Sequence, residues 1–194
     1  MAARSVQIVE HRPGWGQEFL GVAGALRAAL GDLAVRIDHV GSTAVPGLAA
    51  KDVIDVQVTV RDLRDERLMP AVASAGFRPR ADIERDHVPA WAEPLPSDWE
   101  KRYATQGDAG RRTHIHIRQV GRANQRYALL FRDFLRGNGA AAAAYEQVKR
   151  TLASAFPHDS GAYADAKDPV CDLIMLAARE WERRMSWVPG DPDA

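Results

Sequence analysis

Gly41-Ser42, Lys51 and Asp55 have the residue types and spacing that point most directly to chemistry. A glycine directly after a strand lets an anion approach backbone N–H groups that a Cβ would shield. Twelve residues, Thr43 to Ile54, separate this pair from Asp55. Asp55 stands in the run Val53 to Val60, where alternation by two puts Ile54, Val56, Val58 and Val60 on one strand face. Val53, Asp55, Gln57 and Thr59 fall on the other. A turn that holds a triphosphate tail, followed by a strand carboxylate that holds a divalent metal, can neutralise and orient a transferring phosphoryl group. Lys51 adds a positive charge against the same phosphates. The competing structural readings are a tight turn, a sheet-edge aspartate and a solvated loop lysine.

His114 and His116 share one face of a second strand, Thr113 to Val120, about 6–7 Å apart at a rise of roughly 3.3 Å per residue. Such a pair can ligate one metal, contact phosphate, or sit half-buried in hydrogen bonds. With Asp55 the two also make a plausible ligand set for zinc, iron or manganese. His39 precedes the Gly-Ser turn and either orients it or belongs to the core. Arg132, between Phe131 and Phe134, either pairs with an acid or reaches the site. From Lys101 to Arg126 there are seven lysines or arginines and one acid, Asp108. This local positive bias suits a polyphosphate, and equally a solvated surface.

The elements that must position these residues follow from periodicity. Ser5 to Glu10 reads as a short strand, and Trp15, Phe19, Val22, Leu26 and Leu30 mark an amphipathic helix ending at Gly31. Strands are expected over 35–40, 53–60 and 113–120, with a helix over 67–75 and a short strand near Phe77. The stretch 81–110 reads as a long proline-rich loop and the leading specificity element. Helices are expected over 124–136, 140–156 and 162–185, with Pro169 kinking the last or marking its start. Residues 187–194 read as a flexible tail. The expected fold is α+β: a mixed β-sheet flanked by helices over 1–122, then a helical C-terminal portion over 123–186 packed on it.

Composition narrows the rest. Lys plus Arg and Asp plus Glu each number 26, so bulk coating of nucleic acid is disfavoured. One cysteine, Cys171, excludes an internal disulfide, and its apolar helical setting reads as a buried structural thiol. The absence of a signal peptide or apolar run of ~20 residues leads to the expectation of a cytoplasmic protein without a membrane anchor.

The stretch His39-Val40-Gly41-Ser42-Thr43-Ala44-Val45-Pro46-Gly47-Leu48-Ala49-Ala50-Lys51, continued by Ile54-Asp55-Val56, closely resembles the GrpB family. The resemblance extends to Pro13-Gly14-Trp15, His114-Ile115-His116-Ile117 and Leu130-Phe131-Arg132-Asp133-Phe134-Leu135-Arg136. It continues through Tyr145-Glu146 with Lys149, and Tyr163 with Ala166-Lys167. It implies a divergent nucleotidyltransferase fold and a metal-dependent transfer of a nucleoside monophosphate from a nucleoside triphosphate to an unidentified acceptor. Gly41, Ser42, Thr43, Lys51, His114 and Arg132 would bind the nucleotide. Asp55, His116 and Gln57 would form the catalytic and metal site, with Mg²⁺ or Mn²⁺ as the ion. Active members of the wider superfamily carry a second carboxylate where Gln57 stands here, so a binding module without turnover is the alternative. Similar domains are fused to some bacterial dephospho-coenzyme A kinases, which implies a link to coenzyme A synthesis. No Walker-type lysine loop occurs in this chain.

Overall fold

A computed structural model of the chain describes residues 5–93, 95–107 and 110–194. Helix α1 (Trp15–Leu30) leads into strand β1 (Ala34–Val40), and a loop opening with a single 3-10 turn at Ser42–Ala44 connects to β2 (Ile54–Val60). Helix α2 (Leu68–Ser74), β3 (Phe77–Pro79), β4 (Arg102–Gln106) and β5 (Thr113–Gln119) follow. The chain continues in α3 (Ala123–Gly137), α4 (Gly139–Ala155) and α5 (Ser160–Met185). The strands form one mixed sheet in the order β1-β2-β5-β4-β3, parallel only between β2 and β5. This is the expected α+β architecture.

The two faces of the sheet differ in kind. Ile54, Val56, Val58, Ile115 and Ile117 are fully buried against α1 and α2, around Trp15, Phe19, Leu26, Leu68 and Val72. Each such side chain removed from water contributes about 1.5–3 kcal/mol, which makes this face the main core. The opposite face carries Asp55, Gln57, His114, His116 and Arg118, and is closed by hydrogen bonds. Gln57 Nε2 donates to the Gln125 carbonyl of α3 at 3.1 Å, and Arg132 Nη1 donates to the His39 carbonyl of β1 at 3.0 Å. A second apolar cluster joins the loop residues Val45 and Leu48 to Leu130, Phe134, Tyr145 and Met175 of the three C-terminal helices.

Four local expectations change. Ser5 to Glu10 forms only an isolated bridge, Val9 to Ala50, because no neighbouring strand extends the pairing. The stretch 81–110 holds β4, whose polar sequence hides it: β3 and β5 on either side supply the ladder. Helix α5 starts at Ser160, capped by Asp159, and runs through Pro169. Proline there forgoes one bond to the Asp165 carbonyl without ending the helix. The segment 187–194 lies against β1, where Ala194 N–H donates to the Ile37 carbonyl and Asp193 accepts from His39 N–H and Arg132. Among the described residues no helix is long and apolar enough to cross a membrane.

Candidate functional site

The parallel register of β2 and β5 sets Asp55 opposite His114 and Gln57 opposite His116. His114 Nδ1 lies 3.0 Å from Asp55 Oδ1, and His116 Nε2 lies 3.7 Å from the same oxygen. Burial pushes the Asp55 carboxyl upward, but the hydrogen bonds from His114 and His116 outweigh it and hold the group well below the usual carboxylate range. Asp55 is therefore an anion at any working pH. Its second oxygen faces Gly41, where a Cβ would come within 2.5 Å of Oδ2. Gly41 also has φ +71°, a conformation disfavoured for a side-chain-bearing residue. Both the turn and the closeness of the carboxylate thus require glycine at position 41.

The ring nitrogens have distinct roles. His116 Nδ1 is approached by Arg118 Nη2 at 3.4 Å and Lys101 Nζ at 3.5 Å. Both are cationic donors, so Nδ1 accepts and the proton sits on Nε2, directed at Asp55. Burial lowers the His116 pKa to about 4, which keeps the ring neutral. His114 presents Nδ1 to Asp55, so the hydrogen bond to the carboxylate places its proton there and leaves the Nε2 lone pair unused. His114 lines the neighbouring cavity and retains 28 % of its side-chain exposure.

That cavity, of about 210 Å³, is bounded by Gly41, Ser42, Thr43, Lys51, Asp55 and His114 on the sheet side, and by Tyr145, Lys149, Tyr163 and Lys167 from α4 and α5. The Lys51 ammonium sits 4.8 Å from the Tyr163 ring centre, and that of Lys149 sits 4.9 Å from the Tyr145 ring. Lys149 also donates to the Ala49 carbonyl, and burial lowers its pKa to about 7. Burial likewise pushes the Lys51 ammonium down. Lys167 is pulled both ways: burial lowers it, while nearby Cys171 and Asp168 raise it further, and the net shift is upward. Three lysines thus line the cavity beside Asp55, with Lys167 also 3.5 Å from Asp168, an arrangement that attracts an anion.

Lys149 and Lys167 are cavity residues that composition alone assigns to the helix surface. Each follows a tyrosine by four residues, Tyr145 to Lys149 and Tyr163 to Lys167, so each lies one turn along the same face. Tyr145, Lys149 and Ala153 form the buried stripe of α4. A lysine within a buried stripe was the available signal.

Other expected site residues are engaged by partners of their own. Thr43 touches the cavity, but its hydroxyl donates to the Val53 carbonyl at 3.2 Å and accepts from His39 Nε2 at 3.0 Å. It fixes the loop, together with His39, whose ring stacks on Phe19 at 4.8 Å. Burial lowers the His39 pKa to about 4. Gln57 is fully buried, with Oε1 accepting from Arg118 at 2.6 Å and Nε2 donating to Gln125. Arg132 pairs with Asp133 and Asp193 behind β1 and does not line the cavity.

Asp55, His114 and His116 bring one ligand atom each to within 4.8 Å of one another, a group that could hold a metal ion. A resident Mg²⁺ does not fit it. One carboxylate and two imidazoles are poor in hard oxygen, the Gln57 oxygen is engaged by Arg118, and the His116 Nε2 carries a proton. Imidazole donors suit zinc or iron better.

Residues 5–176 match the family model described as GrpB protein. The chain belongs to the GrpB family. A crystal structure of conserved protein GrpB from Enterococcus faecalis superimposes with a TM-score of 0.72 at 30 % identity, covering 91 % of this chain and 100 % of that one. A UPF0157 protein of Halalkalibacterium halodurans is 33 % identical over 175 residues, 90 % of this chain and 83 % of its own length. A dephospho-CoA kinase of Mycolicibacterium paratuberculosis is 37 % identical over 204 residues, which cover 97 % of this chain and 50 % of the kinase. This GrpB-family chain therefore spans about half the length of the mycobacterial kinases it matches.

Proposed function

We propose that this GrpB-family chain binds the polyphosphate of a nucleoside triphosphate in the lysine-lined cavity and transfers its nucleoside monophosphate to an acceptor. The observation that carries the reading is the convergence of Lys51, Lys149 and Lys167 on the Gly41-Ser42 turn and Asp55. At about 210 Å³ the cavity falls below the roughly 300–1,000 Å³ of a whole-ligand pocket, so it suits a phosphate tail with the nucleoside outside. The lysines neutralise the phosphates, and the N–H groups of Ser42 and Thr43 add donors. Asp55 fixes the His114 tautomer, and the free Nε2 is placed to take a proton from an acceptor hydroxyl entering the cavity. Bond formation from that oxygen to the α-phosphorus then expels pyrophosphate.

A purified sample incubated with α-labelled triphosphates, hydroxyl acceptors and a series of divalent ions tests this directly. Label should pass to an acceptor in the wild type and not in Asp55→Ala or His114→Gln. Equal inertness of all three proteins across acceptors and ions would defeat the transfer reading. Homology to a region of dephospho-CoA kinases makes pantetheine-containing acceptors the first to try.

The second reading is a triphosphate-binding module without turnover, favoured by Gln57 at the position of a carboxylate and by its commitment to Arg118. Calorimetric binding without label transfer in the same samples would select it.

A further inference from the structure

Two further cavities continue from the lysine site. One of about 130 Å³ shares Lys167 with it and is also bounded by Trp99, Tyr127 and Cys171. The next, of about 320 Å³, shares Trp99 and Tyr127 with the second. Its walls include Trp91, Leu130, Met175 and Arg179. Helix α5 links the three: Lys167, Cys171, Met175 and Arg179 recur every fourth residue, so they run along one face. At 1.5 Å per residue, Lys167 and Met175 lie roughly 12 Å apart along the axis.

The character of the wall changes along this row. The first cavity is cationic. The third is aromatic, with Trp99 edge-on to Tyr127 at 6.0 Å and the Arg179 guanidinium 4.6 Å from the Trp91 ring centre. A ligand matched to the whole row is anionic at one end and a planar heteroaromatic at the other.

We infer that the Trp91–Trp99–Tyr127 cavity is the subsite for the nucleobase of the nucleotide whose phosphates occupy the lysine cavity. The inference rests on the phosphate reading above and adds to it a place and a chemistry for base selection. Aromatic faces and a guanidinium plane bind any base by stacking.

Calorimetry with inorganic tripolyphosphate and with ATP, GTP, CTP and UTP separates the two ideas, using wild type, Trp91→Ala and Arg179→Ala. Arg179 is exposed, so the second variant guards against a folding defect in the first. At least one nucleotide should bind the wild type about tenfold or more tighter than tripolyphosphate, and each variant should shrink that advantage while tripolyphosphate affinity stays unchanged. Equal affinity of all four nucleotides and tripolyphosphate for the wild type would overturn the subsite, as would equal weakening of every ligand by the variants. Nucleotide binding that depends on Trp91 without any tripolyphosphate binding would sustain the subsite and defeat the lysine cavity. Binding of no ligand at all would defeat both.

Discussion

Asp55 and Asp86 are both carboxylates held on the polar side of the sheet, and their surroundings differ. Asp86 receives Lys101 at 2.7 Å, Arg118 at 2.8 and 3.0 Å, and Asn124 at 3.0 Å. Burial raises its pKa, and the charges of Arg118 and Lys101 overcome that rise and hold it well below the usual range. Every lone pair there has a fixed partner, and two cations balance one anion. Asp55 meets two imidazoles on one oxygen, a glycine against the other, and a cavity containing three ammonium groups that are not hydrogen-bonded to it. A closed network of the first kind organises the fold, because α3, β5 and the 81–101 segment converge on it. An open one of the second kind leaves charge available to a ligand.

Exchanging the two aspartates for alanine is the sharpest way to break this contrast. Asp86→Ala strands Lys101 and Arg118 without their counter-ion and should cost roughly 3–5 kcal/mol in a denaturant titration. Asp55→Ala leaves the His114 and His116 N–H groups without their acceptor and should cost less, about 1–3 kcal/mol, yet lower transfer by roughly 10²–10⁴-fold. The reverse pattern would remove the distinction. Gly41→Ala should follow, with about 1–2 kcal/mol lost to left-handed strain and a measurable fall in triphosphate affinity as Asp55 is displaced.

The lysine side of the contrast responds to pH. Lys149, lowered by burial to about 7, is cationic below that value and neutral above it. Tripolyphosphate affinity should therefore be highest below pH 7 and decline by up to about tenfold as the pH rises through it. The decline should vanish in Lys149→Met. Thr43→Val is the mildest test. It removes the bonds to His39 and the Val53 carbonyl that fix the loop, at about 1 kcal/mol by thermal melt.

Much of this architecture was legible because its elements are periodic. The alternation of Ile54, Val56 and Val58 against Asp55 and Gln57 revealed β2 and the face of each residue, and the same held for β5. The 3.6-residue spacing from Trp15 to Leu30 outlined α1. Cys171, read as a buried thiol from its apolar setting, is buried. Arg102–Gln106 carries no such alternation, and its strand state comes from pairing on both edges. Polar, proline-containing residues 187–194 read as a frayed end because their bonds to Ile37, His39 and Arg132 span more than fifty positions of sequence.

The site was half legible for the same reason. The Gly41-Ser42 turn and Asp55 were readable from local spacing, and the structure sets Gly41 against the carboxylate. Asp55, His114 and His116 were grouped from residue type as one possible ligand set, and the structure brings them together, but the register that sets Asp55 opposite His114 across a parallel pair is not local in sequence. Nor is the engagement of Gln57 by Arg118, sixty-one positions away, which takes the amide out of the expected ligand set. Lys149 and Lys167 reach the cavity only after α4 and α5 fold back over the loop.

Calorimetric titration of inorganic tripolyphosphate into wild type and Lys149→Met, at pH 6.5 and low salt, tests the lysine cavity most directly. Saturable one-site binding by the wild type, weakened about tenfold in the variant, is the expected result. Wild-type protein that takes up no tripolyphosphate, or a variant that binds it equally well, would contradict a polyphosphate site beside Asp55.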